Sequence, residues 1–333
     1  MDSVHEAAVR GTNDDAVISK ASAVQAAYIS DNFVKYFVKR PPRRPPIINR
    51  GTYVRTTGLD ILITKFLETV KAKKQIVSFG AGSDTRYFSY KERSRPFHKY
   101  FEIDYPEITS RKVAIIRRHK QMYTLLGESA RLGMGGMELY ADDYCLIAGD
   151  LREFTTHVVD RLIQHGFDTS LPTIFLSECV LIYMESGDSD KIVRWVGENM
   201  SAAVFVVYEQ ILPDDAFGSV MLQNLKLRNI ELRGIYAYPS LESQKERFLK
   251  RGWTHAEAID INKMHDRHID PRELERISRL ELLDEVEEWR LLSAHYCIAW
   301  AYVAKNESIM EMLEQVKFVY YDPIPPTRRI VTT

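Results

Sequence analysis

The sequence predicts an α/β fold, a mostly parallel sheet with helices on both faces, closed by a last strand that runs against its neighbour. Three observations predict it. Five short apolar runs, QIVSF, KYFEIDY, DYCLIAGD, TIFLSE and AVFVVYE, read as buried strands, and the longer intervals between them carry helix-like patterns such as DKIVRWVGENM. Such alternation builds parallel sheets, because a parallel connection needs a crossover long enough to hold a helix. Nearly every run ends in an acid: Asp104, Asp150, Glu178 and Glu209. Ligands of these sheets bind beyond the carboxyl ends of the strands, so acids there are expected to converge on one crevice. Finally, SRLELLDEVEEWRLLSAHYCIAWAYV reads as a helix and then a strand rich in aromatic and β-branched residues. A short return from that helix makes the strand antiparallel.

Each element follows in chain order. In GTNDDAVISKASAVQAAYI, Thr12 followed three residues later by Asp15 predicts a helix start of capping-box type. PPRRPP cannot continue a helix and is expected to be an exposed, extended linker. RTTGLDILITKFLETV reads as an amphipathic helix leading into VSFGAGSDTRYF. There, Gly80 and Gly82 mark a sharp strand-to-helix junction. After the fifth strand the interval from Ile211 to Arg251 looks helical, and an insertion over the carboxyl edge suits a substrate lid. The expected organisation is a helical arm and linker over 1–70, a core over 71–304 with its insertion at about 211–251, and a helix and tail over 305–333.

Composition bounds the function. The chain has 333 residues, 45% of them hydrophobic, enough for a substantial core. A net charge of -1 provides no global basic field, so neither nucleic acid nor an anionic membrane is an expected partner. Cys145, Cys179 and Cys297 are far apart and form no CxxC pair, which favours a reducing compartment. The cytosol is the expected location, with the nucleus as a second, and a monomer is the expected state. No apolar run is long enough to span a bilayer. In MHDRHID, His265 and His268 have no accompanying third ligand and read as polar helix surface, so no metal is expected.

The strand-end acids suit S-adenosylmethionine, which offers ribose hydroxyls, an adenine edge and an amino-acid end beside a sulfonium. Asp104, 24 residues after Gly80, is placed to accept the ribose hydroxyls. Asp150 is placed to take the adenine amino group with Leu151 against the ring, and Glu178 lies beneath the sulfur and amino-acid end. A dehydrogenase shares the glycine turn and the ribose acid. Thr85 stands where its fingerprint wants a third Gly or Ala, and the final helix and strand follow the seven-stranded pattern of methyltransferases.

The chain resembles the leucine carboxyl methyltransferases through RGTNDDA with SKASAV, INRGTYVRTTG, FGAGSDTR, FEIDYPEI, GDLRE, PTIFLSECVLIYM, YEQILPDDAFGSVMLQNL, LESQKERFLKRGW, LELLDEVEE and HYCIAWA. Asp84 stands where the broad methyltransferase pattern has a third glycine, a feature shared with that family. The resemblance implies a class I, Rossmann-like, S-adenosylmethionine-dependent fold. It also implies methylation of the C-terminal leucine carboxylate of the protein phosphatase 2A catalytic subunit. The cofactor set it implies is Lys20, Arg55, Gly80, Asp104, Asp150, Leu151 and Glu178. Arg55 suits a carboxylate through its bidentate fork and is also a candidate for steering the substrate. Tyr183, Tyr208 and Glu209 are expected to line the crevice near the transferred methyl, with no general base among them. Three alternatives stay open: a wybutosine-type transfer-RNA enzyme, whose fused β-propeller is not seen in this sequence; a small-molecule O-methyltransferase; and a non-catalytic phosphatase-binding protein.

Overall fold

The computed structural model of the chain describes residues 2–322. Among the described residues nine strands form one sheet: β1 (Gln75–Phe79), β2 (Lys99–Asp104), β3 (Arg131–Gly133), β4 (Glu138–Tyr140), β5 (Tyr144–Ala148), β6 (Thr173–Glu178), β7 (Ala202–Gln210), β8 (His255–Asp260) and β9 (Tyr296–Ala304). Their order is β3-β4-β5-β2-β1-β6-β7-β9-β8. The five strands from β5 to β7 are parallel, and β9 runs antiparallel to both β7 and β8. Central strands such as β1 are buried along their whole length because both faces are covered.

The expected count of seven strands is corrected to nine. The additional pair, β3 and β4, is a short antiparallel hairpin that extends the sheet beyond β5. Glu138 of β4 is fully buried, accepts the Ala148 N–H at 2.8 Å and pairs with Arg161. These contacts hold three-residue strands that have too little pattern to be read from RLGMGGMELY.

Alternate residues of each strand feed two cores. Ile76, Tyr100, Val204 and Val206 pack on one face with Leu62 and Phe66 of helix α2 (Pro46–Thr69). Val77, Phe101, Phe175 and Phe205 pack on the other with Ile192 and Val196 of the helix Ser186–Asn199. Pro46 occupies the first turn of α2, where its missing N–H costs nothing, so the end of PPRRPP starts a helix. Its arginines are paired rather than free: Arg43 bonds Glu281 at 2.8 Å and Arg44 approaches Asp15 at 3.7 Å.

The expected helix start at Thr12 is also corrected. Helix α1 runs Asp2–Gln25, and Thr12 lies within it. Its hydroxyl donates back to the Val9 carbonyl at 2.7 Å, an arrangement available to threonine inside a helix. In the interval after β7, the helix Ala216–Leu227 buries little beyond Gly218, whereas Leu241–Leu249 packs onto the sheet through Phe248 and Arg247. Leu313, Val316 and Phe318 join the core beyond β9; PIPPTRRIVTT lies outside the described residues.

Candidate functional site

Strand order reverses beside β1: β2 and β5 lie to one side of it, β6 and β7 to the other. At the carboxyl edge of this point is a cavity of about 500 Å³, roofed by α1 and by residues 225–233. Lys20, Arg55, Gly80, Asp104, Asp150, Leu151, Glu178, Tyr183 and Tyr208 all line it. They come from α1, α2, the loops after β1, β5 and β6, and the ends of β2, β6 and β7.

The turn after β1 explains its glycines. Gly80 and Gly82 have φ of +56° and +50°, a conformation costly for residues with a Cβ. A Cβ on Gly80 would lie 2.5 Å from Cγ2 of Val180, and one on Gly82 would lie 2.5 Å from Oδ1 of Asn13. That same Asn13 oxygen accepts the Ser83 N–H at 2.7 Å, so the close approach fastens α1 to the turn.

Asp104 closes the turn from the opposite side. One of its oxygens accepts the Gly82 N–H and the other the Tyr105 N–H, each at 2.7 Å. Burial raises its pKa to about 6, against the opposing pull of those two N–H groups and of Lys112. Asp150 lies two residues past the end of β5 and caps the short turn Leu151–Glu153. It is bound by the Arg152 guanidinium, which also reaches Glu6 of α1 at 2.7 Å.

Cations occupy the other end. Lys20 lies 2.8 Å from Thr85 Oγ1 and 2.9 Å from Asp31; burial acts to lower its pKa, but Asp31 and Asp84 hold it above the usual value. Arg55 pairs with Glu178 and lies over the Tyr208 ring, 4.8 Å from its centroid. Tyr208 in turn stacks on Tyr296 at 5.3 Å. Burial raises the pKa values of Tyr183 and Tyr208, and that of Tyr296 to about 12, so these phenols stay protonated near neutral pH.

Glu209 is corrected: it is not part of the cavity wall. Successive strand residues face opposite sides, and with Tyr208 toward the cavity its neighbour turns away. The Glu209 carboxylate is 1% exposed, accepts the Ile182 N–H at 2.9 Å and pairs with Arg247 at 3.2 Å. The histidines of MHDRHID diverge. His265 lies 2.7 Å from Asp266 and edge-on to Trp289, while His268 lies 2.8 Å from the Val319 carbonyl.

Sequence reading passed over Arg86, Asn13 and Tyr296. Arg86 directly follows Asp84 and Thr85 and looks like an ordinary first-turn residue. Tyr296 follows from register alone, since it pairs across from Gln210 at the end of β7.

A doubly wound sheet with an inserted antiparallel β9, a glycine turn after β1 and strand-end acids in one cavity defines a class I methyltransferase domain. The profile of the leucine carboxyl methyltransferase family matches residues 8–197. A leucine carboxyl methyltransferase 1 homolog of Arabidopsis thaliana is 43% identical over 298 residues, covering 89% of this chain and 90% of that one. Leucine carboxyl methyltransferase 1 of Bos taurus is 38% identical over 298 residues, with coverage of 88% and 89%. The Schizosaccharomyces pombe protein of that name is 37% identical over 292 residues, with coverage of 87% and 93%. The chain belongs to the leucine carboxyl methyltransferase family and is a carboxyl methyltransferase.

Proposed function

We propose that this chain transfers the methyl group of S-adenosylmethionine to the C-terminal leucine carboxylate of the protein phosphatase 2A catalytic subunit. We further propose that it acts as a monomer in the cytosol, with the nucleus as a second location. One observation carries the reading. The expected donor-binding residues, drawn from distant parts of a chain of this family, line one cavity at the strand-order reversal.

The residues present fit the donor. Asp104 and Asp150 are acceptors for hydroxyl and amino groups, with Leu151 beside Asp150 as an apolar wall. Lys20 and Arg55 match a carboxylate, and Glu178 matches an ammonium. Positive φ at Gly80 and Gly82 brings bare backbone to the cavity wall. When bound, S-adenosylmethionine supplies an electrophilic methyl group on a sulfonium.

No residue of the chain has to remove a proton from the acceptor. A chain-terminal carboxyl titrates near ~3.5 and is already an anion at neutral pH. The work left to the protein is to desolvate that anion and align it. Tyr183 and Tyr208, which stay protonated, act as hydrogen-bond donors and walls. Arg55, held in place by Glu178 and Tyr208, presents the neighbouring positive charge.

The test is incubation with methyl-labelled S-adenosylmethionine and purified phosphatase catalytic subunit, followed by mass analysis of the C-terminal peptide. A methyl ester on the terminal carboxyl is the expected product. Label on an internal residue would overturn the carboxylate assignment, and no label together with tight binding to the phosphatase would support a non-catalytic role.

A further inference from the structure

Arg86 pairs with three carboxylates at the cavity and has no part in the proposed transfer described so far. It is the first residue of α3 (Arg86–Glu92) and contributes to the cavity wall. Its Nε donates to Asp60 at 2.8 Å, and its Nη1 donates to Asp84 at 2.9 Å and to Glu178 at 3.0 Å. One guanidinium therefore joins α2, the glycine turn and the end of β6. Glu178 is gripped on both sides, Oε1 by Arg55 and Oε2 by Arg86. The carboxylate still keeps 24% of its side chain exposed, against 8% for Arg86. The anion faces the cavity and the cation stands behind it.

We propose that Arg86 is a positioning residue: it holds Glu178 and Asp84 as aligned anions facing the cavity, so that a cationic methyl donor is bound in preference to its neutral product. The assignment rests on the reading that this cavity binds S-adenosylmethionine.

A planar fork with several donors suits three carboxylates on separate elements, which a single lysine ammonium cannot span in the same geometry. Without a cation here, Asp60, Asp84 and Glu178 would face one another with Arg55, Lys20 and Lys112 left to offset them. Like charges at such range disfavour ionisation. Burial on its own would raise the Glu178 pKa, and the attraction of Arg55 and then Arg86 leaves it lowered despite the opposing Asp84. The other titratable groups facing Glu178 are Cys179 beside it and Tyr208 of β7, both with pKa values raised by burial.

The experiment compares the parent chain with Arg86→Gln and Arg86→Lys. Calorimetry measures the affinities of S-adenosylmethionine and S-adenosylhomocysteine across a range of pH, and thermal melts establish folding. Arg86→Gln is expected to weaken S-adenosylmethionine by about tenfold or more and S-adenosylhomocysteine by less, because only the former carries the sulfonium charge. Glu178 and Asp84 then take up protons at higher pH, so affinity begins to fall on acidification earlier than in the parent. Arg86→Lys should recover part of both effects, and it carries the test alone if the glutamine variant does not fold.

Variants that bind both ligands within about twofold of the parent, on the same pH profile, would overturn the assignment. So would an equal loss for both ligands with an unmoved profile, which would make Arg86 merely structural. A parent chain that binds neither ligand would overturn the donor reading and this assignment together.

Discussion

Replacing Asp104 with asparagine separates the cost of a buried charge from its use. Burial pushes this carboxylate up from 3.8 to about 6. Between those values the folded chain holds a proton that the unfolded chain has released. Stability therefore falls as pH rises through that window and levels off above it. The gap converts to about 3 kcal/mol. Asparagine keeps a single acceptor for the Gly82 and Tyr105 N–H groups, and the resulting loss does not depend on pH. The stability of Asp104→Asn relative to the parent should thus rise by about 3 kcal/mol from about pH 3 to about pH 7, whatever its offset. Urea denaturation of both proteins across that range measures it. Binding should move oppositely, with S-adenosylmethionine affinity at neutral pH weakened by on the order of 1–3 kcal/mol. A stability difference that stays flat with pH would refute the buried-charge argument, and unchanged affinity would remove Asp104 from the donor site.

Gly80→Ala should cost at least about 1–2 kcal/mol in thermal or chemical denaturation, because it meets both a positive φ and the Val180 side chain; an unshifted melting temperature would contradict that. Arg247→Met strands the buried Glu209 carboxylate and should cost about 3–5 kcal/mol of stability, so a loss well below about 1 kcal/mol would mean the pair is not structural. A substrate tail with an amidated C-terminus should give no turnover, since both the nucleophilic anion and its charge are gone. Extending the tail by one residue moves the anion by about 3.5 Å and should do the same. Methylation of either tail at a rate near that of the native one would sink the terminal-carboxylate mechanism.

Much of this arrangement was legible because it depends on local pattern. β1 and β6 carry the apolar stretches Ile76–Val77 and Ile174–Leu176, and the ends of β2 and β6 are marked by Asp104 and Glu178. The hairpin of β3 and β4 was not legible, since strands of three residues are held by tertiary contacts such as that of Glu138 rather than by their own periodicity. Thr12 misled because the same residue caps a helix or bonds backward within one, and only the ten residues before it decide which. Glu209 was assigned to the cavity from its position at a strand end, although the twofold alternation that turned Tyr208 inward already pointed it elsewhere. Arg86 could not be found from spacing, because Asp60 and Glu178 are 26 and 92 residues away from it.

The placement of β9 between β7 and β8 also constrains the order of assembly. The strand that fills this slot is the last of the nine to leave the ribosome, and it pairs with β7 along nine residues from Ala202 to Gln210. Until residues 296–304 emerge, β7 presents an apolar open edge and β8 has no partner, so the nascent sheet is complete only on the β5 side. Open edges of this kind template aggregation. A chain interrupted between Gln210 and Tyr296 would therefore present a sticky intermediate rather than a smaller stable domain. The sheet thus closes late, in a near-final step that joins β8 to β7.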